Sequence, residues 1–249
     1  MSEPPAAPAR RKPRAAFTVR FYRPEDRAAL REICADTGFL GQPIDPVFED
    51  RDLFADYLTG YYLDLEPEST VVLEVEGKIS GYVMASTQPG LHAAYEKLKL
   101  PVLAAKGLWR YFTRPYNQAT RDYIRWILTR GGKETPAAPE GMAHFHFNVR
   151  PEARKVAHTR SMVDLLFGEL ARRGVPAIYA QMVAYEKRRG DRMFERYGFR
   201  RISECEVTKY RQFTDQRIYL FTIVKDLTAN AVLYGLDLHD RDKAGEHRG

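Results

Sequence analysis

The run His144–Leu170, HFHFNVRPEARKVAHTRSMVDLLFGEL, restricts the fold more than any other part of the chain. Its first residues alternate polar and apolar and are rich in aromatics, the pattern of a strand over Ala143–Val149. Beyond Pro151, Met162, Leu165, Leu166 and Leu170 recur at helical spacing, so a helix runs from about Ala157 to Arg173. Gly174 caps it and Pro176 lies just past its end. The apolar run Ala177–Val183 then reads as a second strand, which makes a strand–helix–strand unit.

The turn inside this unit is basic, with Arg154, Lys155, His158 and Arg160. The first N–H groups of a helix have no partner within it and sit at the positive end of its dipole. Such an end accepts a diphosphate readily. Ala153 and Ala157 are small enough to let a ligand approach, and Thr159 can donate its hydroxyl. Arg154, Lys155 and Arg160 can add charge-assisted bonds. The turn has no glycine, so a diphosphate held by the amides of Lys155, Val156, Ala157, His158, Thr159 and Arg160 would sit less closely than in a glycine loop. The plainer alternative is a basic helix start facing water.

Elsewhere the elements mix. Ala16–Tyr22 reads as a strand, and a helix follows from Pro24 with Leu30, Ile33 and Cys34 inward. A second helix spans Arg51–Leu65, with Leu53, Phe54, Tyr57, Leu58 and Tyr61 at helical spacing. Val71–Val75 and Ile79–Ala85 flank a tight turn at Gly77 and form a hairpin. Residues 88–140 are an aromatic-rich insertion, read as helices over Ala93–Leu98, Val102–Tyr111 and Tyr116–Leu128 broken at Pro101, Pro115 and Gly131. After the strand–helix–strand unit come a helix ending at Gly198 and two final strands. The class is α/β, or α+β, around one mixed sheet.

Three segments emerge: a disordered basic arm over 1–16, a folded domain over 17–228 and a polar, flexible tail over 229–249. The net charge is +6, and half of it comes from Arg10, Arg11, Lys12 and Arg14 against Glu3 in the arm. A nucleic-acid role would rest on that arm alone and is disfavoured. No run approaches the ~20 apolar residues of a membrane span. The start of the chain lacks the apolar stretch of a secretory signal. Cys34 and Cys205 are far apart and imply neither a disulfide framework nor a metal site, so a reducing cytoplasm is the simplest setting.

The stretch Val149–Thr159 resembles the coenzyme-binding element of the GNAT N-acetyltransferase superfamily, a strand followed by Arg/Gln-x-x-Gly-x-Gly/Ala and a helix. Arg154 stands at its first position, and Ala157 and Thr159 replace its two glycines. Met193–Phe199, MFERYGF, is similar to the family's closing helix before a late strand. The runs ICADTG, YLTGYYLDLEPESTVVLEVEGKISGYVMAS and AHFHFNVRPEAR are similar to the acetyltransferase-like C-terminal domain of O-GlcNAcases and its bacterial stand-alone relatives. The resemblance implies a GNAT-like fold with a helical insertion between the third and fourth strands. It also implies acetyl-coenzyme A as acetyl donor, with Phe147 and Val149 pairing to the pantetheine arm and Phe194 near the coenzyme. The family's usual tyrosine, general acid for the leaving thiolate, is Phe194 here, and Tyr197 one turn on is the candidate to replace it.

Acetyl transfer to an amine needs a base and a positioned acceptor. His144, His146 and Asn148 share one face of their strand, and Phe145, Phe147 and Val149 the other. His146 is the candidate base, Asn148 would orient the acceptor and His144 would touch it. The alternative is a semi-buried layer in which both histidines only hydrogen-bond. The relatives often carry a carboxylate where Asn148 stands. Trp109, Tyr116 and Trp126 either wall an acceptor pocket or bury the insertion on the main domain or on a second copy in a homodimer. The expected function is transfer of acetyl from acetyl-coenzyme A to a small-molecule or peptide amine, without a metal or a membrane. The competing reading is a pseudo-enzyme that keeps the fold for binding or assembly.

Overall fold

The hairpin is the sheet's most local piece. Strands β2 (Thr70–Val75) and β3 (Lys78–Ser86) are joined by Glu76 and Gly77, both at positive φ. That is the two-residue turn whose twist matches paired strands. We describe the chain from a computed structural model, which defines residues 16–186 and 191–228, without the side chains of residues 191–193. The basic arm before residue 16, the tail beyond 228 and the basic run 187–190 lie outside the described residues.

The other strands are β1 (Phe17–Phe21), β4 (Ala143–Val149), β5 (Ala177–Tyr185), β6 (Arg200–Glu206) and β7 (Ile218–Asp226). They form a seven-stranded sheet in the order β1-β2-β3-β4-β5-β7-β6. Every neighbouring pair is antiparallel except β4 and β5.

Each face of the sheet has its own core. Helix α5 (Val156–Arg172) brings Met162, Leu166, Phe167 and Leu170 onto Val71, Leu73, Val83, Phe145 and Val149. Phe199, just after α6 (Asp191–Arg196), joins that layer. Helices α1 (Arg27–Asp36) and α2 (Arg51–Leu65) cover the opposite face, where Leu30, Ile33, Phe54 and Tyr62 meet Val72, Tyr82 and Met84. Alternation along a strand therefore sorts side chains between two layers, and each fully buried Leu or Phe contributes roughly 1.5–3 kcal/mol.

The insertion differs from the expectation. Helix α3 (Pro89–Thr113) runs unbroken through Pro101. A proline inside a helix forfeits one hydrogen bond and costs about 3 kcal/mol. Here that cost is offset by anchors on the inner side. Arg110 reaches Asp50 at 2.7 Å, Lys106 reaches Asp56 at 2.9 Å, and buried Gly107 sits against Leu53. Helix α4 (Gln118–Trp126) starts at Asn117, whose Oδ1 accepts from Thr120 N at 2.8 Å, and ends in a π-turn over Ile127–Gly131.

Two smaller expectations also change. Tyr57 faces solvent rather than the core. Strand β5 continues past Val183 to Tyr185, and α6 is only six residues long.

Candidate active site

β4 pairs with β3 along its whole length, from Gly81↔Val149 to Ser86↔His144. It pairs with β5 only at Ala143↔Ile178 and His144↔Tyr179. Beyond that the two strands part, and the β5-facing main chain of Phe145–Val149 has no strand partner. An unpaired edge inside a sheet invites another extended chain with amides of its own. One acceptor there is already used, because Val149 O accepts from Arg154 Nε at 2.9 Å. Of the predicted pair Phe147 and Val149, Phe147 is thus the freer edge residue.

The parting strands open toward the start of α5. Lys155 is its N-cap, and no side chain caps the helix. Lys155 N donates to Ala153 O at 2.8 Å and Thr159 N to Lys155 O at 3.1 Å, while Arg160 lies a full turn inside the helix. That leaves Val156, Ala157 and His158 as the amides without an acceptor among the described residues. Residues 154–157 are exposed, so no described residue plugs or walls off the helix end.

The side chains of the turn are arranged differently from the expectation that they gather on a phosphate. Arg154 is folded back, with Nη2 donating to Gly41 O at 2.6 Å, and pins the loop between α1 and α2. The His158 ring is buried, with Nδ1 at 2.9 Å from Ala153 O and the tilted Phe17 ring 4.5 Å away. Arg160 pairs with Asp164 at 3.3 Å. Lys155 is exposed, and Thr159 is partly exposed. What the helix start leaves open is three amides and the Lys155 side chain, with Thr159 at the edge.

On the α1/α2 face, His144, His146 and Asn148 lie in one row. His144 Nδ1 is hydrogen-bonded with the Tyr62 hydroxyl. Asn148 Nδ2 donates to Tyr82 Oη at 3.0 Å and keeps its carbonyl oxygen to offer a donor. His146 packs edge-on to Tyr82, and its buried Nδ1 has no partner among the described residues. His92 of α3 stands 6.2 Å from the His144 ring and stacks on Tyr61 at 4.2 Å.

Burial pushes the His144 imidazolium down to about 3, helped by His146 and His92 nearby, and burial alone pushes His146 to about 4. Burial likewise lowers His92 and raises Tyr62 and Tyr82 well above the ordinary phenol range. At neutral pH the row is uncharged. An orphaned buried acceptor in such a row carries a desolvation cost of about 1–3 kcal/mol until a donor arrives.

Tyr62, Tyr82 and His92 belong to this site and escaped sequence reading. Tyr62 and Tyr82 lie on elements that read as core, and His92 lies in the insertion. Their signal was composition: hydroxyls and an imidazole on faces destined for burial. The adjacent Glu66 is fully committed, accepting from Tyr61, Thr87 and Gln88.

Other predicted residues lie elsewhere. Tyr197 packs against the α5-side core, opposite the histidine row, and its carbonyl accepts from Lys225 Nζ at 2.7 Å. Phe194 meets Phe221 at 5.5 Å in the same layer. The insertion aromatics do not converge. Trp109 is 65% exposed, Tyr116 hydrogen-bonds Asp50, and Trp126 Nε1 donates to Glu134 at 2.7 Å. Tyr116 fastens the insertion to the main domain through Asp50, and Trp126 does so through Lys209, whose Nζ lies 5.0 Å over its ring.

This fold is the GNAT N-acetyltransferase fold, with α3 and α4 lying between β3 and β4. The crystal structure of SsHAT aligns with a TM-score of 0.58 at 24% identity, covering 85% of this chain and 98% of that one. An N-acetyltransferase from Staphylococcus aureus Mu50 aligns with a TM-score of 0.50 at 14% identity, covering 86% and 99%. No family model and no curated protein matches the sequence. Among the described residues no group of side chains is arranged to hold a metal, and no helix is long and apolar enough to cross a membrane.

Proposed function

We propose that the chain is an acetyl-coenzyme A-dependent N-acetyltransferase acting on an amine. The observation that carries this reading is the parting of β4 from β5 beside an uncapped helix start. The two together offer an extended, amide-bearing chain an edge to lie on and its phosphates an anion site. The coenzyme would supply acetyl as a thioester, whose carbonyl the amine attacks with loss of the thiolate. Val156, Ala157 and His158 would hold the diphosphate by their amides, with Lys155 adding charge. The free edge at Phe147 would pair with the pantetheine arm.

The acceptor would approach from the α1/α2 face. A row of neutral imidazoles, phenols and one carboxamide desolvates an ammonium without compensating it, and so favours the neutral amine that can attack. His146 Nδ1 would accept the amine's N–H and its proton, and Asn148 Oδ1 would orient the same nitrogen. A base near 4 is always free at pH 7 but weak, so the burial that releases the amine's proton carries part of the work. Phe194 cannot supply a proton to the leaving thiolate, and Tyr197 packs in the opposite layer. A thiol with a pKa of about 8.5 is a tolerable leaving group without an acid.

Calorimetry with acetyl-coenzyme A tests the first half, and thiol release with a panel of amines tests the second. Saturable binding followed by thiol release is expected. The absence of binding at millimolar ligand refutes the enzyme reading. Binding without release from any amine leaves a coenzyme-binding module, the pseudo-enzyme alternative.

A further inference from the structure

Helix α3 carries an apolar face that the described residues leave uncovered. Leu91, Leu98, Val102, Leu108, Trp109 and Phe112 are all exposed, Leu98 by 73% and Phe112 by 76%. At 100° per residue they fall, with Ala94, Pro101 and Ala105, within an arc of about 120°. Every residue of the helix from 91 to 112 in that arc is apolar. Leu91, Leu98, Ala105 and Phe112 repeat every seventh residue, the spacing that keeps a seam facing a partner helix. The six large side chains are between 39% and 76% exposed and form one contiguous apolar stripe, the kind of surface that marks a contact with another chain.

We propose that this stripe is the interface of a homodimer, in which α3 packs antiparallel on α3 of a second copy. The order of side chains supports self-pairing. With a two-fold axis between Pro101 and Val102, Ala94 lies level with the second copy's Trp109, Leu98 with its Ala105, and Leu91 with its Phe112. Small then meets large in two of these pairs, and the pairing closes on itself as an isologous contact must.

Charge separates this occupant from a lipid surface. A membrane-lying helix splays its lysines and arginines beside the apolar face. Here Lys106 and Arg110 are turned inward onto Asp56 and Asp50, and Lys99 lies over the Tyr95 ring. Among the cations of α3, Lys97 alone stands near the rim with no partner among the described residues.

Sedimentation velocity of the full chain from micromolar to tens of micromolar concentration tests the proposal. The expected species has twice the 28.7 kDa of one chain. Leu98→Glu and Trp109→Glu alter exposed side chains, so the variants should still fold and melt cooperatively while the dimer dissociates at least 100-fold more readily. Val102→Cys, near the axis, should form an intermolecular disulfide on mild oxidation, and Phe112→Cys, near the end of the helix, should not. A monomeric wild type overturns the proposal, as does a dimer unmoved by both glutamates. A monomer that floats with phosphatidylserine-containing vesicles, and loses this with Leu98→Glu, assigns the stripe to lipid instead.

Discussion

A carboxylate at the second residue of α5 acts on the fold and on the ligand with opposite signs. Ala157 is exposed, and the first turn of α5 carries neither an acid nor a side-chain cap. In Ala157→Glu the new charge meets three open amides at the positive helix end, which stabilises the fold by about 0.3–1 kcal/mol. Against a diphosphate on the same amides it repels. At a separation of about 6 Å, Coulomb's law gives about 0.7 kcal/mol per unit charge in a water-like medium and about 3 kcal/mol at an effective dielectric of about 20. The net loss is about 1–3 kcal/mol, or roughly 5- to 150-fold in Kd. Calorimetry with acetyl-coenzyme A reads the loss, and a thermal melt of the free protein reads the gain. Ala157→Gly removes Cβ without adding charge and should bind as well as wild type or better, at a fold cost of up to about 1 kcal/mol. A folded Ala157→Glu protein with wild-type affinity would place the phosphates somewhere other than α5. A melting temperature lowered by the glutamate would refute the open-helix-end premise itself.

The histidine row makes a pH prediction. His144 and His146 titrate in the folded state near 3 and near 4, below the ordinary 6.5, so the unfolded chain binds more protons between those values. Stability from this source is full above pH 6.5 and falls as pH drops toward 4, by up to about 1.4 kcal/mol per pH unit for each histidine. Their ring C–H resonances should stay unshifted down to pH 5, and midpoints near 6.5 would contradict the burial argument. Tyr62→Phe removes the hydroxyl from His144 Nδ1 and should cost about 1–3 kcal/mol in a urea titration, whereas an unchanged midpoint would mean the imidazole finds another partner. Gly41 has φ +89°, and a Cβ there would lie 2.8 Å from Arg154 Nη1. Gly41→Ala should therefore cost about 1–2 kcal/mol from the backbone alone and free Arg154 from the loop, so that adding Arg154→Ala costs less than it does in wild type.

Legibility in the sequence followed the range of the interaction. The hairpin and the strand–turn–helix unit were readable because two-residue periodicity, turn chemistry and helical spacing are local. The sorting of His144, His146 and Asn148 from Phe145, Phe147 and Val149 was readable for the same reason. What stayed hidden depends on contacts far along the chain. Pro101 reads as a break until Arg110 and Lys106 are seen to be anchored on α2. Tyr62 reads as core until its hydroxyl is placed against a residue 82 positions away. Arg154 reads as a phosphate ligand until the Gly41 carbonyl takes it.

The missing glycines can now be weighed. Glycine helps a phosphate turn in two separable ways, by permitting positive φ and by removing Cβ from the ligand's path. Among the described residues only Leu40 and Glu76 combine positive φ with a side chain, and no residue from Arg150 to Arg160 has positive φ. The first advantage is therefore irrelevant to this turn. Ala157 and Thr159 already lie in α5, where alanine is the more stable choice by about 1 kcal/mol. Only the second advantage is lost, and it is lost to a methyl at 157 and a short hydroxyl-bearing side chain at 159. In the proposed role the turn would trade closeness to a diphosphate for a firmer helix start, and affinity lost through Cβ alone should return with Ala157→Gly.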